Sequence, residues 1–484
     1  MNGVDMVAGP DYRRAAAPAA EKQVWRFLVV ALIAALLLFP SLRRAGLAGY
    51  DDAYWAHEAK EMVHTGDWWS VRFNGSFTMD HPPLFPWSEA LSFQLFGIHD
   101  WAAKFPSALC GLATIVLVYF LALELTEDSW LALLAMLVLG STQFFLKNAT
   151  HAMTDVTFTF FFTLTIFFYV KGLKTRAYLT LMGLPLAAAV LTRSVVGFLA
   201  LGIVLGHLVI TRRYKTLWSP WLASGVVLGV LLSGGWYWSQ YRLHGAELLL
   251  SHFRFVNSLA HSNYASSTRL PVSNYLLALL KYYWPWLPFL LAGIWKEMRA
   301  AIKEGDSNAK LLLAWMLMVI VPFSFAQTKM PRYMMPVLPA FSIVAATSLY
   351  RIIPARRRVA FFYAACAVGC VAVGLSFLFP PKGRADDIIR LAPIAEANSS
   401  ANQRVLFCTS ENGRADYMWQ FLWYSDRYAT LADDLNDLAA RLVSTDGVVA
   451  ITDKQSFRRL AELAPGINAR VLGESENLIC FQVR

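Results

Sequence analysis

Two textures alternate along most of this chain: apolar runs long enough to cross a bilayer at 1.5 Å per residue, and short polar loops between them. About eleven such runs can be drawn through the first three quarters. They lie near Trp25–Pro40, Pro106–Leu125, Trp130–Leu146, Met153–Val170, Ala177–Leu191, Val195–Ile210, Trp218–Trp238, Val272–Trp295, Leu311–Phe325, Tyr333–Leu349 and Val359–Phe379. From about Pro380 the texture changes. Strand-like runs (RVLFCTS, GVVAITD, NLICFQVR) alternate with helical stretches such as ADDLNDLAARLV, predicting a small α/β domain. The predicted architecture is an α-helical polytopic membrane protein: a tail over residues 1–24, a transmembrane body over 25–380 and an α/β domain over 381–484.

One loop, residues 41–105, is too long for a simple connector, and long structured loops are usually functional. Within it AYWAHEAKEMV and WSEALSFQLFG place apolar side chains at helical spacing, predicting amphipathic helices at the membrane interface. Composition agrees with a membrane chain: 57% hydrophobic, 14% aromatic and only 16% charged residues over 484 positions exclude an ordinary soluble enzyme.

The net charge of +10 is set by topology. With the N-terminus inside, the inner segments carry Arg13, Arg14, Lys22 and Arg26, then Lys171, Lys174 and Arg176, then Arg212, Arg213 and Lys215. They continue with Lys296, Arg299, Lys303 and Lys310, and with Arg351 and Arg356 to Arg358; only the turn ELTEDS departs. An odd number of spans then puts the C-terminal domain on the outer face. This distribution argues against a nucleic-acid partner. The first apolar run has no small-residue cleavage pattern after it and is read as a retained span. Of five cysteines, none has metal-ligand spacing; Cys408 and Cys480, in strand-like runs, are either a disulfide or two buried thiols.

The polar residues that do not belong in a bilayer fall on the outer side. Asp51 and Asp52 leave the first span, and Asp80 and His81 follow in FTMDHPPLFPW. Lys147, His151 and Asp155 flank a membrane re-entry, Arg193 sits in VLTRSVVG, and Lys329 and Arg332 in FAQTKMPRYMMPVLP. Any one alone reads as an interfacial anchor; their convergence from distant segments predicts one cavity holding carboxylates and cations. A carboxylate there can act as general base for a hydroxyl, and cations beside it can neutralise a phosphate leaving group. No phosphate-binding glycine loop, dinucleotide fingerprint, serine elbow or zinc-type histidine pair accompanies them. A lipid phosphate ester of a sugar suits this set better than a sugar nucleotide. Asp51, Asp80, Asp155 and His81 are also candidate ligands for a divalent cation, magnesium, calcium or manganese by their oxygen-rich character.

The run YDDAYWAHEAKEMVHTGDWWSVRFNGSFTMDHPPLFPWSEALSFQLFGIHDWAAKFPSAL resembles the first outer loop of the polyprenyl-phosphate-dependent glycosyltransferases of the protein O-mannosyltransferase and lipid A aminoarabinose transferase type, which share the GT-C fold. Weaker likeness continues through Asp155, LTRSVVG and KMPRYMMPVLP, to about Pro339. The resemblance implies a bacterial inner-membrane enzyme with a periplasmic active site, a polyprenyl-phosphate sugar donor and a lipid or glycan acceptor. It implies catalytic roles for Asp51 and Asp155 and phosphate binding by Lys329 and Arg332. His81 stands where aminoarabinose transferases place a phosphate-binding lysine and Tyr54 where they place an arginine, so Arg193, Lys329 and Arg332 would have to supply the cations. Transfer to protein Ser/Thr is the alternative acceptor class. A transporter or flippase is the rival class, but the repeated halves with broken helices that it would need are absent from the sequence.

Overall fold

The structure, a computed structural model, describes residues 11–43, 46–47, 50–261, 273–326, 329–378, 386–409, 415–444 and 447–483. Helix α1 (Asp11–Leu38) opens the chain and begins inside the segment read as a tail. Two loop helices follow, α2 (Tyr50–Thr65) and α3 (Leu84–Phe96), with a short antiparallel hairpin of β1 (Arg72–Phe73) and β2 (Ser76–Phe77) between them. The bundle then proceeds through α4 (Asp100–Thr126), α5 (Ser129–Gly140), α6 (Gln143–Ala149) and α7 (Thr154–Gly172). It continues with α8 (Ala177–Leu181), α9 (Gly183–Arg193) and α10 (Leu199–Ile210).

Among the described residues, eight helices are long and apolar enough to span a membrane, and two further helix pairs are bent, by 63° at residues 141–142 and by 120° at residues 283–286. The stretch Ala177–Ile210 counts as one of the eight, yet its contacts make it two passes. Arg193, ending α9, meets Asp155 at the start of α7, whereas His207 near the end of α10 bonds Tyr169 near the end of α7. The chain therefore turns back at residues 194–198. Gly197 permits it: a Cβ there would sit 2.5 Å from the Val190 amide nitrogen. With the bent pairs taken as one pass each, the sequence reading of about eleven is recovered.

The span Pro331–Ile352 is the most enclosed, with Val337, Leu338, Ala340, Ile343 and Val344 at zero exposure. The helix Pro220–His261 breaks at Gly245, whose φ of 80° is left-handed and costs glycine little. Beyond this break the chain folds back onto the outer loop, where His252 Nδ1–H donates to the Met79 carbonyl, 2.6 Å away.

The C-terminal part is a five-stranded mixed sheet ordered β4-β3-β5-β7-β6: β3 (Val405–Cys408), β4 (Ala429–Leu431), β5 (Val449–Asp453), β6 (Ala469–Glu474) and β7 (Leu478–Val483). Strands β4, β3 and β5 run parallel, and β7 and β6 are antiparallel. Alternation sets the two faces: Val405 and Phe407 pack under the helices Asp386–Ala397 and Ala415–Tyr424, Leu406 and Cys408 under Leu435–Ser444 and Lys454–Leu463. β4 and β6 escaped the sequence reading because edge strands lack a continuous buried pattern. Cys408 and Cys480 are free, buried thiols. β5 lies between their strands, a separation of about 9–10 Å that no disulfide spans.

Helix α2 departs from the interfacial expectation. From Asp52 to Met62 every residue is buried, including His57, Glu58, Lys60 and Glu61. The reason is the helix Ala415–Tyr424, which covers the face that would otherwise meet water: Lys60 Nζ bonds the Trp423 and Ser425 carbonyls at 3.0 and 2.8 Å.

Candidate active site

Two carboxylate–guanidinium pairs frame the site. Asp51 sits in the first turn of α2, where the helix dipole favours an acid, and its Oδ2 accepts from Nη1 of Arg332. Asp155 sits in the first turn of α7, and its Oδ1 lies 3.0 Å from Nη2 of Arg193, whose Nε also donates to Thr154 Oγ1 at 3.2 Å. The pairs differ in exposure. Asp155 is 1% exposed and Arg193 21%, whereas Asp51 and Arg332 keep 31% and 26% of their side chains accessible. The Arg193 guanidinium lies over the ring of Tyr333, the residue after Arg332, at 5.8 Å, so the two pairs border one space.

Asp52, one residue on and so turned about 100° around the helix, faces away from Arg332. Its Oδ2 lies 2.8 Å from Nδ1 of His151, and the carboxylate is 2% exposed. Each acid of the opening pair thus has its own tertiary partner.

The loop supplies the next layer. Tyr54 stacks on Phe73 with centroids 4.4 Å apart and meets Trp419 edge-on at 5.6 Å, which holds its hydroxyl 3.3 Å from Asp80 Oδ2. Burial raises the Asp80 pKa, against the lowering effect of that hydroxyl. The His81 ring lies 4.3 Å from Trp55. Burial, then the nearby Arg193, His252 and Arg332, pull its pKa down to about 3, so it is neutral at physiological pH. Its ring also meets Tyr54 edge-on, with centroids 6.1 Å apart. Lys329 is buried, and its ammonium donates to the Ala326 carbonyl at 2.7 Å.

The sequence reading missed His252, Glu58 and Glu89. His252 Nε2 lies 2.8 Å from Ser194 Oγ, next to Arg193. Glu58 and Glu89 are fully buried, and burial raises both pKa values well above the usual range, with the Tyr54 hydroxyl offsetting part of the rise at Glu58. Glu58, seven residues after Asp51 and so on the same helix face, carried a signal; Glu89, inside an apolar helix, carried one as well. No group of three acidic, His or Cys side chains poised for a metal occurs among the described residues. The candidate oxygen ligands are instead turned to Arg332, Arg193 and Tyr54.

Residues 80–238 match the family model described as dolichyl-phosphate-mannose-protein mannosyltransferase. An uncharacterized protein of Aquifex aeolicus is 32% identical over 329 residues, 67% of this chain and 64% of that protein. The undecaprenyl phosphate-alpha-4-amino-4-deoxy-L-arabinose arabinosyl transferase of Pectobacterium carotovorum is 27% identical over 68% of this chain and 60% of its own length. The chain thus spans less than two thirds of either relative. In structure it is similar to ArnT from Cupriavidus metallidurans in the apo state, at TM-score 0.75 and 19% identity, over 96% of this chain and 98% of that one. The archaeal oligosaccharyltransferase AglB from Archaeoglobus fulgidus follows at TM-score 0.60, 13% identity and 89% of this chain against 69% of that one. Fold and site together define the class, a polytopic membrane protein of GT-C fold. Within that class its fold is similar to that of ArnT.

Proposed function

We propose that this protein is an inner-membrane glycosyltransferase that takes a sugar from a polyprenyl-phosphate carrier and passes it, with inversion, to a hydroxyl of a periplasmic lipid or glycan acceptor. The observation that carries the reading is the convergence of Asp51–Arg332 and Asp155–Arg193 on one space. Such a space offers a proton acceptor and two permanent cations side by side. It is supported by the similarity to the undecaprenyl phosphate-alpha-4-amino-4-deoxy-L-arabinose arabinosyl transferases and by the fold shared with ArnT, one of whose structures is described as bound to undecaprenyl phosphate.

In the proposed reaction the acceptor oxygen attacks the anomeric carbon, the bond from that carbon to the phosphate oxygen breaks, and the lipid phosphate leaves with the electron pair. Asp51 takes the acceptor's proton. Charge building on the departing phosphate draws Arg332 toward it and leaves the carboxylate free to accept the proton as the transition state is approached. Arg193 and Lys329 share the phosphate charge. Asp155 fixes Arg193, and Asp80 with Tyr54 orients the sugar. The neutral His81 and Tyr54, in place of a lysine and an arginine, argue for a donor sugar or donor geometry different from aminoarabinose. Lipid A is one acceptor of the proposed class.

Purified protein incubated with a radiolabelled polyprenyl-phosphate sugar and membrane extract should move label into an acceptor fraction and release polyprenyl phosphate. Movement of intact donor across proteoliposome membranes without release would mark a flippase instead.

A further inference from the structure

A second polar site lies apart from the reaction space. A cavity of about 720 Å³ is lined by Arg43, Lys60, His99, Asp100, Trp101 and Trp423 among others. Its position is set by the ends of two spans: Arg43 closes the span Lys22–Arg43, and Asp100 opens the span Asp100–Thr126. That is the depth of a lipid headgroup. Lys60 lies nine residues beyond Asp51 on α2, a rise of about 13 Å, so the cavity is distinct from the site.

Its polar groups are unequally committed. Lys60 is held by Asp426 at 2.8 Å, and Asp100 accepts from Trp423 Nε1 at 2.7 Å and from the Tyr424 hydroxyl at 3.0 Å. Arg43 and His99 are exposed, and no ion pair is made by either among the described residues. The Arg43 guanidinium lies over the Trp101 ring at 5.3 Å, and the His99 ring stacks on the same indole at 6.3 Å. Apolar chemistry continues from there toward the bilayer. Trp101 touches Phe96 at 5.2 Å between ring centroids, Phe96 touches Phe105 at 5.1 Å, and Phe105 touches Phe39 of the first span at 5.7 Å. Beside this ladder Leu91, Leu95 and Phe96 of α3 are exposed, at 52%, 67% and 39%. A loop helix with such a stripe is seated against acyl chains.

We infer that this groove binds an anionic phospholipid, its phosphate held by Arg43 and His99 and one acyl chain laid along Trp101, Phe96, Phe105 and Phe39. The uncommitted cation answers the phosphate charge, and the aromatic ladder answers the tail; a soluble phosphate would use only the first.

The full-length protein in phosphatidylcholine nanodiscs, doped with phosphatidylglycerol carrying a photoreactive acyl chain, tests this. Adducts should map to peptides containing Phe39 and Leu91–Phe105. Arg43→Gln should lower that labelling roughly fivefold, the worth of one basic residue at an anionic surface, and Arg43→Lys should restore most of it. His99→Gln added to Arg43→Gln should lower it further, while Lys303→Gln at the other end of the bundle should not change it. Both altered residues are exposed, so folding is not at stake. Equal labelling by a phosphatidylcholine probe, or unchanged labelling in the double variant, overturns the site. Displacement of the probe by millimolar inorganic phosphate would assign the groove to free phosphate and overturn the lipid.

Discussion

Separating the Asp51–Arg332 pair is the most informative perturbation, because its structural and chemical worth differ by several fold. Two unit charges 4 Å apart interact by about 4 kcal/mol at an effective dielectric of 20. Here the side chains are 31% and 26% exposed, so water screens the pair and its contribution to stability falls to about 1–2 kcal/mol. Asp51→Asn, which keeps a hydrogen-bond acceptor for Arg332, should therefore lower the melting temperature in detergent by no more than roughly 2–5 °C. Turnover is another matter. A general base is worth about 10²–10⁴ in rate, and an amide cannot take the proton. Arg332→Ala should weaken donor use by about ten- to hundredfold, the worth of a charge-assisted contact to phosphate. In a double-mutant cycle the stability losses of the two variants should overlap by about 1–2 kcal/mol. The assay is release of polyprenyl phosphate from a labelled donor, run beside thermal melting on the same preparations. Turnover by folded Asp51→Asn protein within a few-fold of the unaltered chain would refute the reasoning and leave the acid as a partner for Arg332 only.

At the second pair the balance reverses: Arg193→Ala leaves the buried Asp155 unpaired and should cost about 3–5 kcal/mol in melting experiments, and adding Asp155→Asn should recover much of that loss. Glu58 and Glu89 have folded-state pKa values above the ordinary 4.5, so their stabilising effect is complete below that pH and is lost as pH rises toward the raised values. Glu89→Gln should accordingly raise the melting temperature at pH 8 relative to pH 5, and equal shifts at both would mean the carboxyl is not protonated in the fold. His81→Lys should leave donor use intact or raise it if the ring faces the phosphate, and a fall in donor use with an unchanged melting temperature would place the phosphate elsewhere. For orientation, Ser400→Cys should react with an impermeant thiol reagent in intact spheroplasts and Lys303→Cys only after lysis, in a background without native cysteines; the reverse pattern would move the site to the cytoplasm. Gly75 and Ser475 are poor probe positions, since the first has φ +79° with Tyr428 3.0 Å from its Cβ direction and the second is buried.

The spans were legible because crossing a bilayer is a property of each segment alone: a run of apolar residues must satisfy its own backbone, and length and hydropathy decide it. The strands β3, β5 and β7 were legible for the same reason, as local runs buried on both faces. Asp51, Asp80, His81, Asp155, Arg193 and Arg332 stood out because a charge at a span end is conspicuous in an apolar chain. Their pairing was not legible. Asp51 and Arg332 are 281 positions apart, and nothing local says that Asp51 meets Arg332 while Asp52, one residue later, meets His151. The burial of α2 was also hidden, since its polar face is covered by a helix from the far end of the chain. In the folded chain Glu58 and Glu89 are buried acids and not surface charges, and the strand order places β5 between Cys408 and Cys480. Hydropathy is summed along a segment and so is written in sequence; electrostatic partnership and burial depend on which distant segments meet, and only the tertiary structure decides that.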